Sequence, residues 1–104
     1  MSIEVISEFI RLATVRTRAY IYNDDDALVD PTSASIEIVN PDGATVVSGT
    51  TGMSSAATGT YEHYYNTPST AVLGWYRGKV TVVDGVGDTA KTSIGVVSFK
   101  VKEA

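Results

Sequence analysis

The chain has 104 residues, of which 43% are hydrophobic and 19% charged, and its formal net charge at pH 7 is −4. This length suits one domain, and a domain of about 100 residues buries enough surface to fold without disulfides or metals. With no cysteine and one histidine, the sequence excludes disulfides, thiol chemistry and multi-histidine metal sites. We expect no membrane contact, because no apolar run reaches the roughly 20 residues that span a bilayer. The acidic balance argues against a nucleic-acid partner.

The N-terminal segment is apolar but carries Glu4 and Glu8. It lacks the basic start and continuous apolar stretch of a secretory signal, so we expect synthesis in a cytoplasm without a cleaved leader. Residues 1–13 are predicted to form either a first strand or an arm that adds to the sheet edge of a neighbouring subunit. The residues that would make this contact are Ile3, Val5, Ile6, Phe9 and Ile10.

The first half of the remaining chain has the period-two pattern of strands. In residues 14–22, one face carries Val15, Thr17, Ala19 and Ile21. A strand over 34–39 follows, and the turn sequence Asn40-Pro41-Asp42-Gly43 leads to a return strand over 44–47. Residues 48–59 are mostly Gly, Ser, Thr and Ala, which predicts a long exposed loop.

The second half predicts three further strands, over 60–66, 75–83 and 94–101. Tyr61, His63 and Tyr65 share one face of the first of these strands. The inward positions of the other two are predicted to be Tyr76, Val80, Val82, Val97, Phe99 and Val101. With one strand near the N-terminus, about seven strands result, which is typical of an all-β, immunoglobulin-like antiparallel β-sandwich. We therefore assign residues 14–104 to the sandwich.

The motifs after residue 14 resemble those of macroglobulin-like and related immunoglobulin-like domains, which occur in bacterial surface proteins and in virion accessory proteins of tailed phages. The resemblance extends over residues 14–101 and rests on the segments 25–31, 36–43, 59–65, 67–68 and 73–82. It implies structural roles for Gly59-Thr60-Tyr61 and Gly74-Trp75-Tyr76, in which the glycine makes a corner and the tyrosine packs inward with its hydroxyl reaching the backbone. It implies no catalytic residue.

A basic face is predicted if the strands 34–39, 75–83 and 94–101 are neighbours. It consists of Arg77, Lys79, Lys100 and Lys102, with Glu37 nearby. Such a face is either an ordinary solvated sheet surface or a docking site for an acidic protein surface.

Four aromatic residues are predicted to point outward: Tyr20, Tyr22, Tyr64 and Trp75. Exposed rigid aromatics are favoured in protein contacts, so Trp75 and Tyr64 are candidate partner-binding residues. A register slipped by one residue would instead place some of these side chains in the core.

An acidic loop end is predicted where the loops after 22, 47 and 83 meet. Calcium would fit carboxylates that converge there, and the candidate ligands are Asp24, Asp26, Asp84 and Asp88. The spacing matches no calcium-binding loop, so we favour water-exposed turn residues and expect no cofactor.

Catalytic signatures are missing. The sequence has no Gly-x-Ser-x-Gly elbow and no glycine-rich phosphate loop, and the tyrosines around His63 favour packing over general-base chemistry. We expect a non-enzymatic structural protein of a virus particle, either a capsid decoration or a head-to-tail (neck or tail) accessory protein of a tailed bacteriophage. Its partners would be capsid or connector subunits or further copies of itself, bound through a sheet face and the N-terminal arm.

An alternative hypothesis is a cell-surface adhesion or carbohydrate-binding module excised from a larger extracellular protein. Trp75, Tyr64 and Tyr22 would then stack on a sugar.

Overall fold

The computed structural model describes residues 2–9, 14–23, 25–68, 70–85 and 90–102. Regular structure in these ranges consists of eight strands. They are β1 (Ser2–Phe9), β2 (Thr14–Tyr22), β3 (Ser33–Val39), β4 (Thr45–Gly52), β5 (Ser54–Ala57), β6 (Thr60–Asn66), β7 (Gly74–Asp84) and β8 (Lys91–Val101). A search of the same ranges finds no helix long and apolar enough to cross a membrane.

The strands form two four-stranded sheets in which every pair is antiparallel. Sheet A has the order β1-β2-β6-β5, and sheet B has the order β4-β3-β7-β8. The predicted fold class, an all-β antiparallel sandwich, is confirmed. The predicted neighbours 34–39, 75–83 and 94–101 do lie side by side, as β3, β7 and β8.

The prediction of a long exposed loop over 48–59 is wrong. Strand β4 continues to Gly52, and β5 pairs with β6 immediately after it. Every residue of β5 is exposed, and small exposed side chains produce no alternation of apolar and polar residues. Backbone hydrogen bonds to β3 and β6 form these strands without that alternation, so the strand count is eight instead of about seven.

The core lies between the inner faces of the two sheets. The four predicted inner positions of β2 are buried, as are Ile36 and Ile38 of β3. Tyr76 of β7 stacks on Phe99 of β8 with ring centroids 5.4 Å apart, and Phe9 meets Phe99 edge-on. Side chains from the inner faces of both sheets therefore form one packed cluster.

The two glycine–tyrosine segments singled out in the sequence differ in what the tyrosine hydroxyl reaches. Gly59 has φ +70° and donates its N–H to Asp30 Oδ1 at 2.8 Å, and the Tyr61 hydroxyl lies 3.4 Å from the same oxygen. The Tyr76 hydroxyl donates to the Val72 carbonyl at 2.8 Å, so this tyrosine reaches the backbone while Tyr61 reaches a carboxylate.

Strand β1 belongs to the sandwich. Each residue from Ser2 to Phe9 pairs with a residue of β2. Ile3 and Val5 pack against the core and also approach β8, where a Cβ on Gly95 would lie 2.5 Å from a Val5 methyl group. The first strand of sheet A thus lies against the last strand of sheet B.

Candidate docking surface

The outer face of sheet B carries the most exposed large apolar side chains. Trp75 is 61% exposed, Val96 58% and Ile94 55%, and no other large apolar side chain in the described ranges exceeds 53%. These residues point outward because they alternate with the buried positions of β7 and β8. Arg77, Lys79 and Lys100 lie on the same face, and we call these six residues the docking face.

The register of β7 and β8 corrects the predicted basic face. Arg77 is opposite Ser98, and Lys79 is opposite Val96, so no lysine of β8 lies directly beside them. Lys100 is opposite Trp75, and Lys102 follows the end of β8. Cations and apolar side chains therefore alternate on this face, whereas the sequence predicted the cations of the two strands side by side.

Trp75 and Lys100 form one contact on the docking face. The Lys100 Nζ atom lies 5.9 Å from the centre of the Trp75 ring, within the range of a cation–π interaction. At an exposed site such a contact contributes about 0.5–1 kcal/mol. Because Trp75 remains 61% exposed, the contact orients the indole without covering it.

The cations of the docking face are not neutralised by carboxylates of the described residues. Glu37 is the cross-strand neighbour of Lys79, but the two form no ion pair. A Cβ on Gly49 would lie 3.2 Å from Glu37 Oε2, which shows that this carboxylate extends over β4 and away from Lys79. Three cations and one offset carboxylate thus make this face positive on a protein of net charge −4.

Two adjoining shallow depressions lie on the docking face. One, of about 330 Å³, lies beside Trp75 and the turn after β3. The other, of about 320 Å³, lies between Glu37, Lys79 and Val96. Val39 and Arg77 line both depressions, so the two adjoin each other at the middle of the sheet.

The outer face of sheet A has internally paired charges. Arg18 Nε donates to Glu62 Oε2 at 2.7 Å, and the Tyr64 hydroxyl donates to the other oxygen of Glu62. The hydrogen bond from Arg18 lowers the pKa of the Glu62 carboxyl. Arg16 forms a second ion pair, with Glu8. Because these charges satisfy each other, this face attracts a charged partner less than the docking face does.

Two of the five N-terminal candidate residues are engaged inside the protein. Ile3 and Val5 point inward and are partly buried, so they do not present a surface to a partner. Ile6 points outward and is 45% exposed, and Phe9 retains 43% exposure beside Phe99. Ile10 lies outside the described residues. Residues 2–9 pair with β2 of the same chain, so in this structure they form the first strand, which is one of the two alternatives for this segment.

The outward aromatics lie on opposite sides of the molecule. Tyr64 is 49% exposed, and it lies on the outer face of sheet A with the half-buried Tyr20 and Tyr22. Trp75 lies on the outer face of sheet B. Tyr22, Tyr64 and Trp75 therefore do not form one stacking platform for a sugar.

The loops after β2 and β7 do meet at one end, where Gly85 donates its N–H to Thr32 Oγ1 at 2.9 Å. Asp26 and Asp84 lie in this part of the chain, and Asp24 and Asp88 are outside the described residues. Among the described side chains, no group of three or more acidic or histidine residues is placed to hold a metal ion. Asp30, which belongs to the same loop region, is used as an acceptor for Gly59.

His63 takes part in a polar row inside sheet A. Thr17 is its cross-strand neighbour, and Thr17 Oγ1 lies 2.7 Å from Ser7 Oγ on β1. Burial lowers the pKa of His63, and its Nδ1 atom has no hydrogen-bond partner among the described residues. The lowered pKa favours the neutral form of the ring, and no side chain of the described residues is placed to orient its Nδ1 atom.

Comparison with known proteins gives no match, whether to a family model, to a curated protein or to a solved structure. The exposure of Ile94 and Val96 is the part of the surface that sequence reasoning missed. The signal was present in the alternation of 94–101, because assigning Val97, Phe99 and Val101 to the core leaves Ile94 and Val96 outside.

Proposed function

We propose that this chain is a non-enzymatic structural protein that binds an acidic surface of a partner protein through the docking face. The partner is a virion protein, either a capsid or a connector subunit, and the chain serves as a capsid decoration or a neck or tail accessory protein of a tailed phage. The observation that carries the proposal is the placement of the three most exposed apolar side chains among three cations on one sheet face.

The chemistry of this face defines the partner. Trp75 and Val96 present apolar area that becomes favourable when water is removed from it, at roughly 25 cal/mol per Å². Arg77 and Lys79 attract carboxylates, which set the orientation and the rate of encounter more than the affinity. A complementary surface therefore has an apolar centre with aspartates or glutamates around it. A particle with many equivalent subunits would offer many such surfaces, so it would bind many copies of this chain.

The strand order supports the resemblance to immunoglobulin-like domains. Sheet A has the A-B-E-D order of these domains, and sheet B has the C-F-G order with one further strand beside C. Such sandwiches carry many unrelated functions, so the docking face, and not the fold, carries the functional argument.

The identity of the neighbouring genes is the first test of this function, and binding of the purified protein to virus particles is the second. Capsid, portal or tail genes on either side of the gene are expected. Purified particles of that virus, incubated with the purified protein and sedimented, should carry it in many copies. Trp75→Ala should reduce the bound amount about tenfold, because truncating a central aromatic anchor commonly costs more than 1 kcal/mol.

Tyr64→Ala is the matched control. It removes an exposed aromatic of similar size from the opposite face, and it should bind as the unchanged protein does. A non-viral gene neighbourhood would contradict the virion assignment. Equal loss of binding in both variants, or loss in Tyr64→Ala alone, would contradict the assignment of the docking face.

A further inference from the structure

The four edge strands of the sandwich differ in how well they resist pairing with another chain. The edges are β1 and β5 in sheet A and β4 and β8 in sheet B. Edge strands expose backbone donors and acceptors, and proteins protect them by shortness, bulges or charge. Strand β5 is only four residues long, β4 has irregular register with β3, and β1 carries Glu4 and Glu8 on either side of Ile6.

Strand β8 lacks these protections over its central part. It pairs with β7 through eleven consecutive residues without a register shift. Its segment from Thr92 to Phe99 contains no charged residue and no proline. Among the described residues β8 pairs with a strand on one side only, and β1 of sheet A lies against its inner face at Gly95 without pairing with it. A long, regular and uncharged edge is a template for one more strand.

The sequence of β8 is compatible with a second copy of itself. Direct neighbours in an antiparallel pair lie on the same face, so an odd-numbered residue pairs with an odd one and an even with an even. Lys91 and Lys100 therefore never oppose each other. The register that pairs the whole strand, Lys91–Val101, is centred on Val96, which then faces Val96 of the other copy.

We propose that two copies of this chain associate through their β8 edges around a two-fold axis at Val96. Sheet B of one copy continues into sheet B of the other, which gives a sheet of eight strands. On its outer face Val96 meets Val96, Ile94 meets Ser98 and Thr92 meets Lys100. This arrangement places two docking faces side by side.

The oligomeric state of the full chain tests this proposal. Analytical ultracentrifugation across a wide concentration range should show a monomer–dimer equilibrium for the unchanged protein. Val96→Lys places two ammonium groups opposite each other and should weaken the dimer about tenfold or more. Val96 is 58% exposed, so the substitution leaves the core intact, and circular dichroism checks that the fold is retained.

Two further variants establish the register and provide the control. Val96→Glu alone should also weaken the dimer, and a mixture of Val96→Lys with Val96→Glu should restore it as a heterodimer. Thr81→Lys adds the same charge to the outer face of β7, one strand from the edge, and should leave the dimer unchanged.

A monomeric unchanged protein, or a Val96→Lys variant that dimerises normally, would overturn the proposal. So would a mixture of the two Val96 variants that stays monomeric. These measurements use the protein without any partner, so their failure would leave the proposed docking function standing. Failure of Trp75→Ala to reduce particle binding would leave the dimer standing.

Discussion

At position 59 the backbone requires glycine for two separate reasons. Its φ of +70° is in the left-handed region, and a Cβ there would lie 2.8 Å from both Leu28 Cβ and the Val29 nitrogen. Gly43 has φ +87° but open space around the Cβ position. A side chain at position 43 would therefore meet backbone strain alone, whereas a side chain at position 59 would meet both strain and steric overlap.

We predict that Gly59→Ala destabilises the protein by about 3 kcal/mol, because strain and overlap add. Gly43→Ala, the matched control, should cost only about 1 kcal/mol from strain. Urea unfolding of both variants measures the difference. Equal losses would show that the corner at Gly59 relaxes around a side chain.

His63 makes stability depend on pH. Burial lowers its pKa in the folded state. The unfolded histidine titrates at about pH 6.5, so the folded state binds fewer protons than the unfolded state. Stability is therefore fully present above about pH 6.5 and is lost as the pH falls towards the lower folded pKa.

We predict that His63→Gln, which has no titrating ring, loses less stability than the unchanged protein between about pH 7.5 and about pH 5.5. Urea unfolding at the two pH values measures this loss. Carboxylates titrate in both proteins, so the difference between them isolates His63. The same loss in both would show that His63 is protonated in the folded state as readily as in the unfolded state.

At the scale of the elements, β1 is an integral strand of sheet A. Its inward residues Ile3 and Val5 face the core, and Gly95 of β8 allows the close approach of the two strands.

We predict that removal of Ser2–Phe9 destabilises the domain by more than about 3 kcal/mol, since it opens the core on one side. Ile6→Ala, on the outer face, should change stability by less than about 0.5 kcal/mol. Thermal unfolding followed by circular dichroism tests both, and a truncated protein that melts like the full chain would support a dispensable arm.

The strands that the sequence predicts well are those in which burial imposes alternation. Strands β2 and β6 begin and end at the predicted residues, because one face of each is apolar or aromatic and the other is polar. The second half of β4 and all of β5 were not predicted, because their small, mostly exposed side chains show no alternation and backbone pairing forms the strands there.

The docking face could be predicted only in part. Alternation places Arg77, Lys79 and Trp75 outward on β7, as expected. Which residues of β8 lie beside them depends on the register between the two strands, and no single strand encodes that offset. The register separates Lys100 from Arg77 and brings Val96 next to Lys79, which changes a basic face into a mixed one.

At the scale of the whole molecule, the two outer surfaces differ in their chemistry. Sheet A pairs its charges internally through Arg18–Glu62 and Arg16–Glu8. Sheet B leaves its cations available around exposed apolar side chains, although the protein as a whole is acidic. This asymmetry is why the proposed partner contact is placed on sheet B and not on sheet A.

The single tryptophan provides the most direct test of the docking face. Trp75 is the only tryptophan in the chain, it is 61% exposed, and it lies on β7 away from the β8 edge. The protein can be prepared with 5-hydroxytryptophan at this position, which is excited selectively in the presence of partner tryptophans. Iodide quenching is then measured for the free protein and for the protein bound to purified particles. We expect strong quenching in the free protein and protection with a blue-shifted emission in the particle. Equal quenching in both states would contradict the assignment of the docking face.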